Sequence, residues 1–225
     1  MSKRNVVCSI QTIKRMPLYY NLIKELKEQG VTSASAPMIA MRLGLNEVLV
    51  RKDFAAVSKS GGRPKTGFDT AELLESVGSF LGYDNQNDAI IVGAGNLGMA
   101  LLSYNGFEEY GLRIVAAFDA DETKVGKTVF GKTVFPMSKL KDLCFRLNVK
   151  IGIICVPATT AQSVCDLLVE SNIMAVWNFA PTNLSVPKHI AVQQENLAVS
   201  LSLISKRLSA DTQGAQAEEN VAVLN

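Results

Sequence analysis

The sequence predicts an α/β protein: an N-terminal winged helix-turn-helix domain, then a Rossmann-type parallel-sheet domain, then a C-terminal helix. Three observations carry this. The apolar run Ile90-Ile91-Val92 feeds Gly93-Ala94-Gly95-Asn96-Leu97-Gly98, a strand entering a Gly-x-Gly-x-x-Gly turn. The charge is uneven: residues 1–68 hold 12 Lys/Arg against 4 Asp/Glu, a balance of +8, and the other 157 hold 11 against 17, a balance of −6. From Asp88 onward, strand-length apolar runs alternate with helix-length ones, the rhythm of a parallel sheet with right-handed crossovers.

The basic first third reads as helical. Leu18 to Gln29 is a helix with Leu18, Leu22, Ile23 and Leu26 on one stripe, ended by Gly30. Ser35 or Ala36 precedes Pro37, which favours a first helical turn, and Met38, Ile39, Met41 and Leu43 are core candidates before Gly44 breaks the helix. Asn46 caps a third helix to about Ser58, with Val48, Leu49, Phe54, Ala55 and Val57 inward. Two short helices about a glycine turn form a helix-turn-helix over about 17–56, whose second helix enters a major groove. Arg51 and Lys52 on that helix, with Asn46 at its start, are the candidate readers of double-stranded DNA; an isolated Arg-Lys pair on a solvated face is the alternative. The segment Ser60-Gly61-Gly62-Arg63-Pro64-Lys65-Thr66-Gly67 then reads as a wing, with Arg63 and Lys65 on phosphates. Asp69 and Glu72 form a capping box for a helix running to Leu81, and the polar run at 84–88 marks the domain boundary.

In the second domain each glycine of the turn has a physical reason. Gly93 permits the tight bend, Gly95 lets the backbone approach a pyrophosphate, and Gly98 lets helix and strand pack closely. The helix continues to about Tyr104, and a loop at 105–111 leads to the strand Leu112–Phe118. Asp119, 24 residues after Gly95, is placed to accept hydrogen bonds from a ribose diol and to repel a 2′-phosphate, which favours NAD over NADP. Strands at 150–156, 174–179 and 189–192, a hairpin at 128–136 and helices at 138–147 and 159–171 complete the sheet. Ligands bind at the carboxyl ends of such strands, so Val156, Pro157, Ala158, Asn178, Phe179 and Ala180 are expected to line one crevice with Gly95, and Tyr104 and Asn178 are candidates to touch a nicotinamide. Asn196 to Leu208 is an amphipathic helix, and 210–225 reads as a flexible tail. The expected domains are 1–84, 85–194, the helix 195–209 and the tail 210–225.

Composition narrows the function classes. At 225 residues, 48% hydrophobic and 20% charged, the chain is long enough for two cores. It has no apolar run of about 18 residues and begins without a signal-like stretch, so a cytoplasmic protein without membrane contact is expected. Cys8, Cys144, Cys155 and Cys165 lack CxxC spacing and read as reduced thiols, and the single His189 argues against a metal site or a histidine relay. A DNA-binding nucleotide sensor and an NAD-dependent dehydrogenase with a fused basic domain both remain open, but no acid–base pair stands beside the turn. A structural nucleoid protein leaves the turn and Asp119 without a use.

Together these segments resemble the Rex-type redox-sensing transcriptional repressors of bacteria, over about residues 10–208. The resemblance rests on Thr12-Ile13-Lys14-Arg15-Met16-Pro17-Leu18-Tyr19-Tyr20, Val50-Arg51-Lys52-Asp53, Gly93–Gly98, Tyr104-Asn105-Gly106-Phe107, Ala116-Ala117-Phe118-Asp119, Val156-Pro157-Ala158, Ala161-Gln162 and Asn178-Phe179-Ala180-Pro181, in that order. It implies a non-enzymatic homodimer that binds a palindromic operator when apo or NAD⁺-bound and is released by NADH. It also implies that the C-terminal helix is swapped between subunits. The family's state-dependent network of an arginine, a tyrosine and an aspartate falls on Arg15, Tyr104 and Asn196, the last being neutral where the family has an acid.

Overall fold

The computed structural model describes residues 9–58, 61–63 and 66–222, with side chains through 209. The chain forms two compact units, Met1–Gln86 with Gly106–Leu112, and Asn87–Asn105 with Arg113–Asn225.

In the first unit α1 (Ile10–Glu28) starts well before the expected Leu18, with Pro17 inside it. Ser9 explains the early start: its hydroxyl accepts the Thr12 N–H at 3.1 Å, satisfying one of the free donors of the first turn. The buried face is Met16, Tyr19, Leu22, Ile23 and Leu26, whereas Leu18 is exposed. The next helix, α2 (Ala36–Leu43), begins at the Ser35 cap with Pro37 in its first turn and ends at Gly44, whose φ of 63° is the left-handed conformation a glycine adopts without strain. Helix α3 (Glu47–Val57) is capped by Asn46, as its sequence predicts. Its inward positions are Val50, Asp53 and Phe54, while Val48 and Ala55 point out. Met41 on α2 is exposed too. These corrections share a cause: short helices rich in apolar residues offer more than one plausible stripe, and the tertiary partners choose between them.

Phe68 on β2 (Phe68–Asp69) and Ala34 on β1 (Ser33–Ala34) join that core through an antiparallel pair. Tyr19, Phe54 and Phe68 pack edge to face at centroid distances of 5.1 and 5.2 Å. Between α3 and β2 the chain doubles back, with Arg63 and Gly67 exchanging backbone hydrogen bonds of 2.7 and 3.0 Å. This is the stem of the expected wing; Ser60, Pro64 and Lys65 lie outside the described residues. Helix α4 (Thr70–Leu81) opens at Asp69, which accepts the Glu72 N–H at 2.9 Å, and closes on α1 through Leu73 and Val77.

The second unit is built on seven strands: β3 (Asn87–Val92), β4 (Leu112–Asp119), β5 (Thr128–Val129), β6 (Lys132–Pro136), β7 (Ile151–Ile154), β8 (Ala175–Asn178) and β9 (Ala191–Gln194), in the order β5-β6-β4-β3-β7-β8-β9. The pairs β4–β6, β3–β7, β7–β8 and β8–β9 are parallel, and β5–β6 is an antiparallel hairpin. The chain leaves β3 for β4 on one side and later returns to β7 on the other. That reversal opens a crevice at the carboxyl ends of β3 and β7. Helices α5 (Asn96–Ser103), α6 (Leu140–Arg146) and α7 (Ala158–Glu170) supply the cover, and Ile90, Val92, Phe118, Leu140, Ile154, Val164 and Leu168 share one core.

Three further expectations are revised. Residues Asn105–Tyr110 are a 3₁₀ turn rather than a loop. The last strand is Ala191–Gln194, two residues later than its apolar pattern placed it. Helix α8 (Leu197–Ala222) continues through residues expected as a flexible tail. The apolar period stops at Leu208, but the following Ala, Gln and Glu residues are good helix formers, and no proline interrupts them.

Candidate functional site

The glycine turn fits a phosphate-bearing ligand. Gly93 has φ +102°, a region that favours glycine, and a Cβ on Gly98 would collide with the Gly93 carbonyl. A Cβ on Gly95 would meet nothing, so the backbone there is open to close approach. Helix α5 starts at Gly95 with no side-chain cap, leaving its first N–H groups for an anion.

Around the turn lies a cleft of roughly 750 Å³, lined by Val92, Gly93, Gly95, Asp119, Ala120, Lys124, Met137, Cys155, Val156, Pro157, Thr160, Ser163 and Val164. Of the expected residues, Gly93, Gly95, Asp119, Val156 and Pro157 are thus together. Ala94 is buried in the turn, its N–H donated to Asp119 at 2.8 Å. Asn96 and Leu97 open α5 at the surface, and Ala158 opens α7, also exposed. Asn178 departs most from expectation. It is fully buried, and its amide nitrogen donates to the Thr182 carbonyl at 2.9 Å and to Gln194 Oε1 at 2.6 Å, while its oxygen accepts the Ala180 N–H at 3.0 Å. It therefore fixes the chain after β8 instead of presenting its amide to the cleft. Phe179 packs against Trp177 with tilted rings, centroids 4.9 Å apart, and Tyr104 ends α5, half exposed.

The cleft holds two charged groups among its described lining residues, and they are paired. Lys124 Nζ lies 3.1 Å from Asp119 Oδ2 and 3.6 Å from Asp121 Oδ2. Burial alone pushes the Asp119 carboxyl up, but hydrogen bonds from the Asp121 N–H, Lys124 and the Ala94 N–H outweigh it and hold the group below its ordinary value. The Asp119 hydrogen bond raises Lys124 in turn. Lys124, Met137, Cys155, Thr160 and Ser163 were not foreseen, because no local pattern marks them. Burial pushes the Cys155 thiol up to about 12, so it stays protonated and unreactive near neutral pH. Cys144 and Cys165 are free and buried, and Cys8 lies outside the described residues. Among the described residues no His/Cys/Asp/Glu cluster has metal-binding geometry.

In the first unit, α3 presents Arg51 and Lys52 to solvent, Arg51 in an i,i+4 ion pair with Glu47. Arg51 and Arg63 share a groove of roughly 530 Å³ with Pro37, Gly61, Gly67 and Phe68. Asn46 uses its side-chain oxygen to cap α3, accepting the Val48 N–H at 2.9 Å. Lys65 lies outside the described residues. Arg15 does not face solvent: its guanidinium donates to both Asp53 oxygens, at 2.7 and 2.8 Å. Tyr19 donates to the same carboxylate at 2.8 Å. Asn196 caps α8, its side-chain oxygen accepting the Ala198 N–H at 3.0 Å. Beside it, Glu195 accepts the Trp177 indole N–H at 2.8 Å.

Residues 84–182 match a family model described as a CoA binding domain, and residues 8–55 one described as a putative DNA-binding protein N-terminus. The chain is 40% identical over 200 residues to a redox-sensing transcriptional repressor Rex from Carboxydothermus hydrogenoformans, covering 89% of this chain and 96% of that one. It is 34% identical to the protein of that name from Treponema denticola, covering 91% and 96%. Among solved structures it is similar to RSP, a Rex-family repressor, with TM-score 0.84, 29% identity and coverage of 94% and 99%. RSP in complex with β-NAD⁺ and operator DNA matches at TM-score 0.85, with 30% identity and coverage of 94% and 97%. RSP with β-NADH matches at 0.83, with 30% identity and coverage of 93% and 98%.

Proposed function

Because the chain belongs to the Rex family of redox-sensing transcriptional repressors, we propose that it binds a palindromic operator when apo or NAD⁺-bound and that NADH releases it. The observation that carries this is the cleft. A glycine turn on an uncapped helix start, with a part-buried carboxylate at the neighbouring strand end, is a site for an adenosine dinucleotide, and among the described lining residues there is no acid–base pair suited to hydride-transfer chemistry. The N–H groups at the start of α5 hold the pyrophosphate, Asp119 takes the adenine ribose, and Val156 and Pro157 wall the far end. The dinucleotide supplies a redox-dependent nicotinamide charge, and the chain's residues supply only binding.

Arg51 and Lys52 on α3, with Asn46 at its cap, face the major groove, and Arg63 with Lys65 holds phosphates. Arg15, Tyr104 and Asn196 carry the response between domains. Among the described residues no helix is long and apolar enough to cross a membrane, and a cytoplasmic repressor fits that.

A ligand releases DNA only if it binds two conformers with different affinity. Titrating operator complexes with NAD⁺, NADH, NADP⁺ and NADPH is therefore the direct test, with NADH expected to be the strongest releaser. DNA binding indifferent to all four overturns the reading, and hydride transfer to a small substrate would favour a dehydrogenase. Alanine at both Arg51 and Lys52 is expected to abolish operator binding and leave NADH binding intact.

The active unit is a homodimer, with α8 exchanged between subunits. In a single chain α8 exposes Leu197, Leu201, Ile204 and Leu208, a stripe at i, i+4, i+7 and i+11, each more than half exposed. Replacing Leu201 and Ile204 together with Glu is expected to give a monomer in sedimentation that no longer binds the palindrome; an unchanged dimer would exclude this stripe as the contact.

A further inference from the structure

The paired charges in the cleft carry a consequence for ligand choice that rests on the NAD(H) reading above. We propose that Lys124 is the second half of the ribose selector: it exchanges between Asp119 and the ribose, and it is a latent cationic donor to a 2′-phosphate.

An ionised carboxylate has about four lone-pair sites. Three donors already reach Asp119: the Asp121 N–H on Oδ1 at 2.9 Å, and the Ala94 N–H and Lys124 Nζ on Oδ2 at 2.8 and 3.1 Å. A ribose diol brings two hydroxyl donors, so it gains both bonds only if one present donor yields. The two backbone donors are fixed by the turn and the strand end. Lys124 has a flexible stem and a ready alternative in Asp121, 3.6 Å away, so it is the donor that moves. Once released, its ammonium donates to a ribose oxygen. Selection therefore follows from the pair and not from Asp119 alone. A 2′-phosphate meets a carboxylate that repels it and an ammonium that binds it. Asp119 keeps the balance on the side of the free hydroxyl, and Lys124 narrows the margin.

The test is a fluorescence titration of the full-length protein with NADH and with NADPH, read as the ratio of their dissociation constants. Lys124→Ala is expected to shift that ratio about tenfold further against NADPH, the loss of one charge-assisted bond. Asp119→Ser is expected to shift it at least about tenfold toward NADPH. The double variant Asp119→Ser/Lys124→Ala should lose that gain, and Asp119→Ser/Lys124→Arg should keep it. Lys124→Glu, at a partly exposed position and with its folding checked by thermal melting, should reject NADPH more strongly still, and it tests the idea even if the Asp119 variants unfold. A ratio that does not respond to Lys124→Ala or Lys124→Glu overturns the proposal. A wild-type protein that binds neither nucleotide overturns the NAD(H) reading itself.

Discussion

Gly98→Ala is expected to destroy the nucleotide site and unfold the second unit at a lower temperature, while Gly95→Ala destroys binding and leaves the fold intact. The two glycines stand three residues apart in one turn, but their surroundings differ. A methyl on Gly98 would collide with the Gly93 carbonyl oxygen and press on Ile91 at 3.3 Å. The first of these is backbone held by a hydrogen bond from Gly93 N–H to Phe118 O at 2.8 Å, so it cannot yield as a side chain does. Overpacking commonly costs about 1–3 kcal/mol, and a backbone-on-backbone clash stands at or above the upper end. A methyl on Gly95 meets nothing, and its φ of −81° suits alanine. The open space there is the approach proposed for the pyrophosphate, and filling it would remove that close contact with no loss of packing. Thermal unfolding and NADH titration of both variants check this: a Gly98→Ala protein with wild-type melting and binding would mean that helix and strand do not meet at this point.

That turn was legible because its glycine spacing and the strand before it are local. The same holds for the caps at Ser35, Asn46 and Asp69 and for the stop at Gly44: each is a side chain or a φ angle acting within four residues. What could not be read is non-local. Lys124 is a surface-type residue in a loop until Asp119 is known to turn toward it. Cys155 and Thr160 come from the end of a strand and the start of a helix that only the sheet order brings beside Gly93. Asn178 reversed its expected role for the same reason. Its strand end does reach the crevice side of the sheet, but Gln194, 16 residues on, and the nearby carbonyl of Thr182 take its amide first. On α3 the apolar pattern places Phe54 and Val57 in the core as found, but it counts the exposed Val48 and Ala55 as inward and passes over Asp53, a charged residue on the buried side. Arg15, 38 residues away, with Tyr19 and Thr12 on the same carboxylate, makes that burial tolerable.

Asp53→Ala is accordingly expected to be the most damaging change in the first unit. The carboxylate is 4% exposed and Arg15 17%, so little solvent screens their two short bonds. Removing it strands a cation and the buried hydroxyl of Tyr19, and breaking one side of such a pair costs about 3–5 kcal/mol. Asp53 follows directly on Arg51 and Lys52, so the loss frees α3, the helix proposed to read DNA, from α1, and operator binding should fall with stability. The pH dependence identifies the cause. Burial would raise the Asp53 carboxyl, but the bonds from Arg15 and Tyr19 outweigh it, and its folded pKa lies below the ordinary value. Its stabilisation is therefore complete above the unfolded pKa, about 3.9, and is lost as pH falls through the folded one. Tyr19 runs the other way. Burial, with the Asp53 charge, pushes it up to about 12, so its share holds below the unfolded value of about 10 and is lost as pH rises toward 12. Unfolding measured by urea titration from pH 3 to 11 should give a dome for the wild type, and for Asp53→Ala a curve lower at neutral pH and flatter at both ends. Equal acid slopes in the two proteins would show that Asp53 titrates alike in the folded and unfolded states, and its bonds to Arg15 and Tyr19 would then not be the source of the acid loss.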